Sequence, residues 1–301
     1  LSNIMIHFVS YNIQYGTGLD GRVDLDRIIE EIDGADIICL QEVEAHWRRT
    51  GMVNQAAEIA ARLHDYYVAY GPGLDVDASF RGDDGRVVNR RRQFGNMVLA
   101  RWPLSVVRNH LLPKLHLNWP LSLQRAALET VIEVPERRLR TISTHFAHVG
   151  GDERLRQAEA LLHIIGHGAR DGGAWSGRQF AAGWNHDGGP VTMPTATVVM
   201  GDFNMTDDSP EYGLLCGDIH PIHGPLSTGD GLSDAWLVAG NDRALNTSTA
   251  PDGGATWGAD DDAKRIDLAL VTSDLVEHIE KVWVDQKATG SDHRPVWLEL
   301  R

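Results

Sequence analysis

Short apolar runs that stop abruptly at a carboxylate, an amide or an imidazole constrain this chain most. Val198-Val199-Met200-Gly201 runs into Asp202-Phe203-Asn204. Ile37-Ile38-Cys39-Leu40-Gln41 ends at Glu42, and the first apolar stretch ends at Tyr11-Asn12-Ile13. Residues 139–144 end at His145, and Ser291-Asp292-His293-Arg294-Pro295 precedes the last apolar run. A carboxylate at the end of a buried strand is costly unless it is paired or coordinated. Repetition of this pattern predicts one polar site at one edge of a sheet. Its groups are those that a hard divalent cation and a phosphate ester require.

The remaining pattern predicts an α/β fold. Strand-like stretches cover residues 4–13, 36–43, 94–100, 104–112, 126–134, 139–144, 197–200, 266–271, 279–284 and 296–300. Helical spacing covers 24–33, where Leu25, Ile28, Ile29 and Ile32 share a stripe behind an Asp24 cap. It recurs over 54–64 behind Asn54 and over 152–165. Many strands with interspersed helices read as two packed sheets flanked by helices. Without a repeat or a linker, residues 1–301 read as a single catalytic domain with insertions at 81–93 and 166–195. The first insertion carries Arg81, Arg86, Arg90, Arg91 and Arg92; the second is Gly-rich and holds Trp175, Trp184 and His186. Such loops serve either as lids or as solvated surface, and both readings stand here.

The formal charge of −14 repels polyanions at long range and weighs against a bulk nuclease. Two cysteines, Cys39 and Cys216, are too few for a disulfide framework. Cys39 reads as a small core residue. A cytoplasmic location is expected, with export behind a removed leader as the alternative. No apolar run reaches membrane-spanning length.

The candidate residues divide by chemistry. Glu42 is the first candidate metal ligand, because magnesium takes a few carboxylate oxygens and keeps several waters. Asn12 ends its strand at a matching place; alone, it would read as a turn former. Asp202 and Asn204 are two apart, so an extended backbone points both the same way. They suit orientation of a water and a phosphoryl oxygen, or else an Asx turn. Gly201 permits close backbone approach. His293 suits proton transfer or charge stabilisation, with Asp267 as its candidate orienter. His145 suits donation to a phosphate oxygen, although a lone strand-end histidine is more often structural. His148, Arg125, Asn96, Trp47, Arg48 and Arg49 fit a pocket border or plain structure equally. Trp102, Trp236, Trp283 and Trp297 sit in apolar patterns and read as packing. Zinc-finger spacing, phosphate-binding glycine loops and a G-x-S-x-G serine are all missing.

Taken in order, Asn12, Glu42, His145, Asp202/Asn204, Asp267 and Asp292/His293 resemble the endonuclease/exonuclease/phosphatase (DNase I-like) superfamily. QEV, FGNMVLARWPL and STHFAH followed by ERLRQAEALL look most like its bacterial metal-dependent hydrolases. The group includes DNase I-like nucleases, neutral sphingomyelinases, inositol polyphosphate phosphatases and tyrosyl-DNA phosphodiesterases. The resemblance implies a four-layer α/β sandwich of two mixed β-sheets flanked by helices. It implies Mg2+ or Mn2+ held by Glu42, with Asn12 and Asp292 close to the metal. Asp202 would position or deprotonate water, and Asn204 would bind phosphate. His145, and His293 held by Asp267, would stabilise the phosphoryl group. Gln14 stands where some nucleases of the group have an acid, which disfavours an abasic-site endonuclease. The expected function is a metal-dependent phosphodiesterase acting on a small-molecule or lipid-headgroup ester. The alternatives are a nuclease that tracks phosphates with the 81–93 arginines, and a catalytically silent phosphate-binding module.

Overall fold

Phe8, Ile37, Cys39 and Val98 meet Leu128, Val198, Met200 and Ala269 in an apolar layer enclosed between two β-sheets. The computed structural model describes residues 4–177, 189–220, 222, 224–243, 254–258 and 263–301. In chain order the first elements are β1 (Ile6–Asn12), α1 (Leu25–Glu31), β2 (Ile37–Ala45), α2 (Gln55–Arg62) and β3 (Tyr67–Asp77). The short strands β4 (Phe80–Arg81) and β5 (Val87–Val88) follow, then β6 (Arg91–Ala100), β7 (Leu104–Leu111), β8 (Ala126–Ile132) and β9 (Leu139–His145). Next come α3 (Gly151–Asp171), β10 (Thr197–Asp202), α4 (Pro210–Cys216), β11 (Ile219–His220) and β12 (Gly224–Pro225). The chain closes with β13 (Leu232–Asp234), α5 (Ala235–Val238), β14 (Asp267–Thr272), β15 (Ile279–Val284) and β16 (Val296–Leu300).

One sheet has the order β15-β16-β1-β2-β6-β3, the other β13-β14-β10-β9-β8-β7. Both are mixed: β1 and β2 are parallel, as are β9 and β10, and their other neighbours are antiparallel. The central strands are buried on both faces, hence their unbroken apolar runs. Outward-facing Val9, Tyr11, Ile38 and Leu40 pack on Ile28, Ile32 and Ile59 of α1 and α2. On the far side Ile142, Val199 and Leu270 pack on Ala158, Leu161 and Leu215 of α3 and α4. The predicted four-layer arrangement is therefore the one observed. Asp24 and Asn54 cap their helices as expected, accepting from backbone amides of the first turn. Cys39 is a core residue, and burial pushes its thiol up to about 12. Trp236 and Trp297 are buried, and Trp283 stacks on Trp297 at 5.5 Å. No described helix is long and apolar enough to cross a membrane.

Two expectations need correction. Residues 81–93 are an arginine-bearing ribbon in which β4 pairs with β5 and β6 has already begun, rather than an irregular loop. The third helix runs on to Asp171, so residues 166–171 belong to it; Trp184 and His186 lie outside the described residues. The remaining strand expectation holds: Asn96 lies inside β6, as the 94–100 strand predicts, and its Nδ2 donates to the Ala126 and Ser143 carbonyls, which ties the sheets together.

A buried charge cluster staples the second sheet to α3. Glu129 on β8 is fully buried and accepts from Arg108 on β7 and Arg140 on β9, with His110 Nε2 at 2.8 Å. Arg140 also donates to the Ile164 and Ile165 carbonyls of α3. Burial alone would raise the Glu129 carboxyl, but His110, Arg140 and Arg108 pull it down to about 2. Glu129→Gln leaves Arg140 uncompensated, which costs about 3–5 kcal/mol. Because the folded value lies below the ordinary 4.5, the ion contribution is complete above 4.5 and fades toward 2. Denaturant melts should show the full deficit of the variant at neutral pH and a shrinking one as the pH falls through that window.

Candidate active site

Strand register brings the polar strand ends together. In the second sheet Asp202 of β10 lies opposite His145 of β9 on one side and Asp267 of β14 on the other. Three strands thus contribute one lateral row, His145–Asp202–Asp267. His145 Nε2 is 3.2 Å from Asp202 Oδ2, and His293 Nε2 is 3.7 Å from the same oxygen. His293 Nδ1 is 2.8 Å from Asp267 Oδ2, so the predicted histidine–orienter pair is formed. Asp202, Asp267 and His293 are all buried, and one ligand-type atom from each lies within 4.8 Å of the others.

The first sheet supplies the opposite wall. Along β1, Phe8, Ser10 and Asn12 share the face between the sheets, so that face passes from apolar to polar toward one end. Gln41 repeats this on β2 and donates to Ser143 Oγ across the gap at 3.0 Å. Simple alternation would then turn Glu42 outward. Instead, the β2–β6 register shifts between Leu40 and Val43, and Glu42 adopts a left-handed φ of 59°. The bulge adds one residue and re-aims the carboxylate, at a backbone cost typical of functional sites. Asn12 Nδ2 donates to Glu42 Oε1 at 3.2 Å and Asp202 Oδ2 at 3.0 Å, and lies 3.3 Å from His293 Nε2. Its Oδ1 accepts from the Gln14 amide.

The segment carrying Asp292 and His293 is clamped from two sides. Ser291 Oγ donates to the Asn12 carbonyl at 2.7 Å. Glu31 of α1 accepts from the Thr289 and Gly290 amides and from the Tyr11 hydroxyl. Asp292 accepts from Nε1 of Trp257, a pocket residue, at 3.3 Å. Neither Glu42 nor Asp292 has an ion-pair partner among the described residues; their nearest donors are an amide, an indole and a hydroxyl. Two half-buried carboxylates without a neutralising side chain are a donor set that suits a hard divalent cation.

The electrostatics separate the two histidines. Arg125 Nη1 lies 3.0 Å from His145 Nδ1. A guanidinium can only donate, so that nitrogen accepts and Nε2 carries the proton that faces Asp202. Burial and the Arg125 charge lower the His145 pKa and keep the ring neutral. His293 is the reverse case: burial opposes its charge, but Asp267 and Asp202 push it up to about 10. Burial would raise Asp202 too, yet His145 and His293 hold it well below the usual carboxylate range. Asn204 has a left-handed φ of 49°, returns its amide to Asp202 Oδ1 at 2.9 Å, and lies 3.1 Å from His145 Nε2.

These groups open into a cavity of about 520 Å³. Glu42, Asp202, Asn204, His145 and His293 line it; Asn12 hydrogen-bonds to two of these lining residues, and Asp292 to lining residue Trp257. Arg125, His148 and Arg49 are pocket residues, which settles three readings the sequence left open. Arg49 pairs with buried Glu44 and stacks over Tyr15 at 4.0 Å and Trp47 at 4.8 Å. Trp257, Lys264 and Phe94 also line the pocket, and sequence reasoning passed over them. Trp257 bridges to both Lys264 and His293, outside any periodic strand. Its one sequence signal is a tryptophan in a Gly-rich stretch, Gly253-Gly254-Ala255-Thr256-Trp257-Gly258.

A model of the endonuclease/exonuclease/phosphatase family matches residues 9–293, which span the whole site. The chain belongs to this family. Its members cleave phosphoester bonds, and divalent metal dependence is general among them. The solved endonuclease/exonuclease/phosphatase from Beutenbergia cavernae is similar in fold, with a TM-score of 0.61 at 18% identity over 99% of this chain and 71% of that one. A mannosyl-6-phosphatase from Bacteroides thetaiotaomicron gives 0.61 at 15% identity, covering 98% and 99%. TDP2 from D. rerio, complexed with single strand DNA product, gives 0.58 at 14%, covering 99% and 100%. No curated protein matches the chain in sequence. The family fold leaves no room beside Asp202: a Cβ on Gly201 would lie 1.9 Å from the Thr144 carbonyl oxygen. Gly201→Ala should therefore push β10 from β9, cost about 2–4 kcal/mol in a thermal or denaturant melt, and lower turnover more than stability alone explains.

Proposed function

We propose that this chain is a divalent-metal-dependent phosphodiesterase that hydrolyses a small-molecule or lipid-headgroup phosphate ester by direct attack of water. The observation that carries the proposal is the Asn12 amide, which touches Glu42 and Asp202 and lies within 3.3 Å of His293. Groups from four separate stretches of sequence meet around one polar pocket.

Glu42 would hold Mg2+ or Mn2+, with Asn12 and Asp292 beside it. When bound, the ion acts as a Lewis acid and offsets charge developing on the phosphoryl oxygens. The side chains have divided roles. Asp202 is ionised and strongly hydrogen-bonded, so it orients the attacking water and receives its proton as the new bond to phosphorus forms and the bond to the ester oxygen breaks, the alcohol leaving with a proton from solvent. Protonated His293, held by Asp267, donates toward the phosphoryl oxygens. Neutral His145 offers its Nε2 proton and is kept in that tautomer by Arg125. Asn204 supplies an uncharged donor. Among the described residues no serine or cysteine lines the pocket, which supports a single displacement by water.

The cavity volume of about 520 Å³ suits a small ligand. Several arginines of the 81–93 ribbon are locally engaged: Arg91 with Asp75 at 2.7 Å, Arg90 over Phe80, Arg92 over Trp47. With a net charge of −14 this weakens the nuclease alternative.

Steady-state turnover of chromogenic phosphate diesters with Mg2+ or Mn2+ tests the roles. His293→Ala and Asp202→Ala should each lower kcat by about 10²–10⁴. Glu42→Ala should also lose Mn2+ binding in calorimetry while keeping its fold by circular dichroism. Wild-type rates in Glu42→Ala and His293→Ala would refute the assignment.

A further inference from the structure

Trp119 is the most exposed large apolar side chain among the described residues, at 88%, and Leu121 in the same loop is 71% exposed. Isolated apolar side chains on a surface are ordinary. These two are not isolated. Leu121 and Leu123 line the same cavity as Glu42, Asp202 and His293, and Phe94 of β6 adds an aromatic wall. Two residues after Leu123, Arg125 contacts His145. One short segment therefore runs from an apolar tip in solvent to the guanidinium that touches His145 and His148.

The segment also departs from the rest of the chain in charge. Residues 113–125 contain no acidic residue, although the protein carries 42. Its base is fixed: Leu115 N donates to Glu153 Oε2 at 2.9 Å, and Gln124 Nε2 donates to the Leu112 carbonyl at 2.6 Å. The tip is thus held out beside the pocket mouth without burying its own side chains. Residues 117–123 carry no charged side chain of either sign, so the tip offers an anionic surface nothing to pair with. A neutral chain attached to the phosphate being cleaved meets every condition.

We propose that Trp119, Leu121 and Leu123 form an apolar rim that receives the alkyl or acyl chain of the substrate, so the preferred ester is lipid-like. This rests on the phosphodiesterase reading and narrows its substrate class. The chain lies along the rim while the phosphate sits between Arg125 and the catalytic row.

Methyl p-nitrophenyl phosphate and hexyl p-nitrophenyl phosphate test the rim, because they share a leaving group and differ only in chain. With Mg2+ present, the hexyl ester should show kcat/KM on the order of tenfold higher, through KM, as expected when an exposed rim shields about two of the five additional methylenes. In a Trp119→Ser/Leu121→Ser variant that ratio should fall toward one. Equal kcat/KM for the two esters in the wild type, or an undiminished ratio in the variant, would overturn the rim. Hydrolysis of neither ester would count against the phosphodiesterase reading instead. Calorimetry with hexylphosphonate and methylphosphonate reads the rim independently of turnover. The hexyl compound should bind about tenfold tighter to the wild type only, and equal dissociation constants would overturn the proposal.

Discussion

The contact between the two sheets at Asn12 is the interaction on which the site depends. Its Nδ2 joins Glu42 of the first sheet to Asp202 of the second. Its carbonyl receives the Ser291 hydroxyl and so fixes the segment that carries His293. An amide is well suited to this place. It bridges two carboxylates without adding negative charge, in a protein that already carries an excess of 14. A buried carboxylate there would raise the local repulsion, and an apolar side chain would remove the side-chain donor of Glu42 and one of the donors of Asp202.

That contact is the end of a polarity gradient between the sheets. Period-two alternation puts Phe8, Ser10 and Asn12 on one inner face, and Val198, Met200 and Asp202 on the other. Apolar burial at one end supplies cohesion. The Gln41–Ser143 and Asn96–Ser143 hydrogen bonds form an intermediate polar layer. The far end is left to charged groups, where burial and neighbouring ions move His145 and His293 in opposite directions. Two imidazoles of similar sequence context thereby acquire different protonation states.

Much of this was legible beforehand because strand ends announce themselves. An apolar run that stops at Asp202 or His145 marks both the strand and the site, and register then places them side by side. What escaped had physical causes. β3 holds Gly71-Pro72-Gly73, which reads as a break; it survives because β3 is an edge strand and its register shifts between Pro72 and Leu74. The inward aim of Glu42 depends on a bulge that no alternation pattern reveals. Trp257 enters the pocket from a non-periodic segment, through tertiary contact alone. The arginine ribbon reads as a loop in sequence because its two-residue strands are too short to show a period.

Anomalous scattering from crystals soaked with Mn2+ and inorganic phosphate tests the central claim most directly, since it asks whether one pocket binds both. The account predicts a manganese peak beside Glu42, with phosphate in contact with His145 and His293. A peak remote from Glu42, or phosphate bound on the far side of the sheets from Asp202, would contradict it.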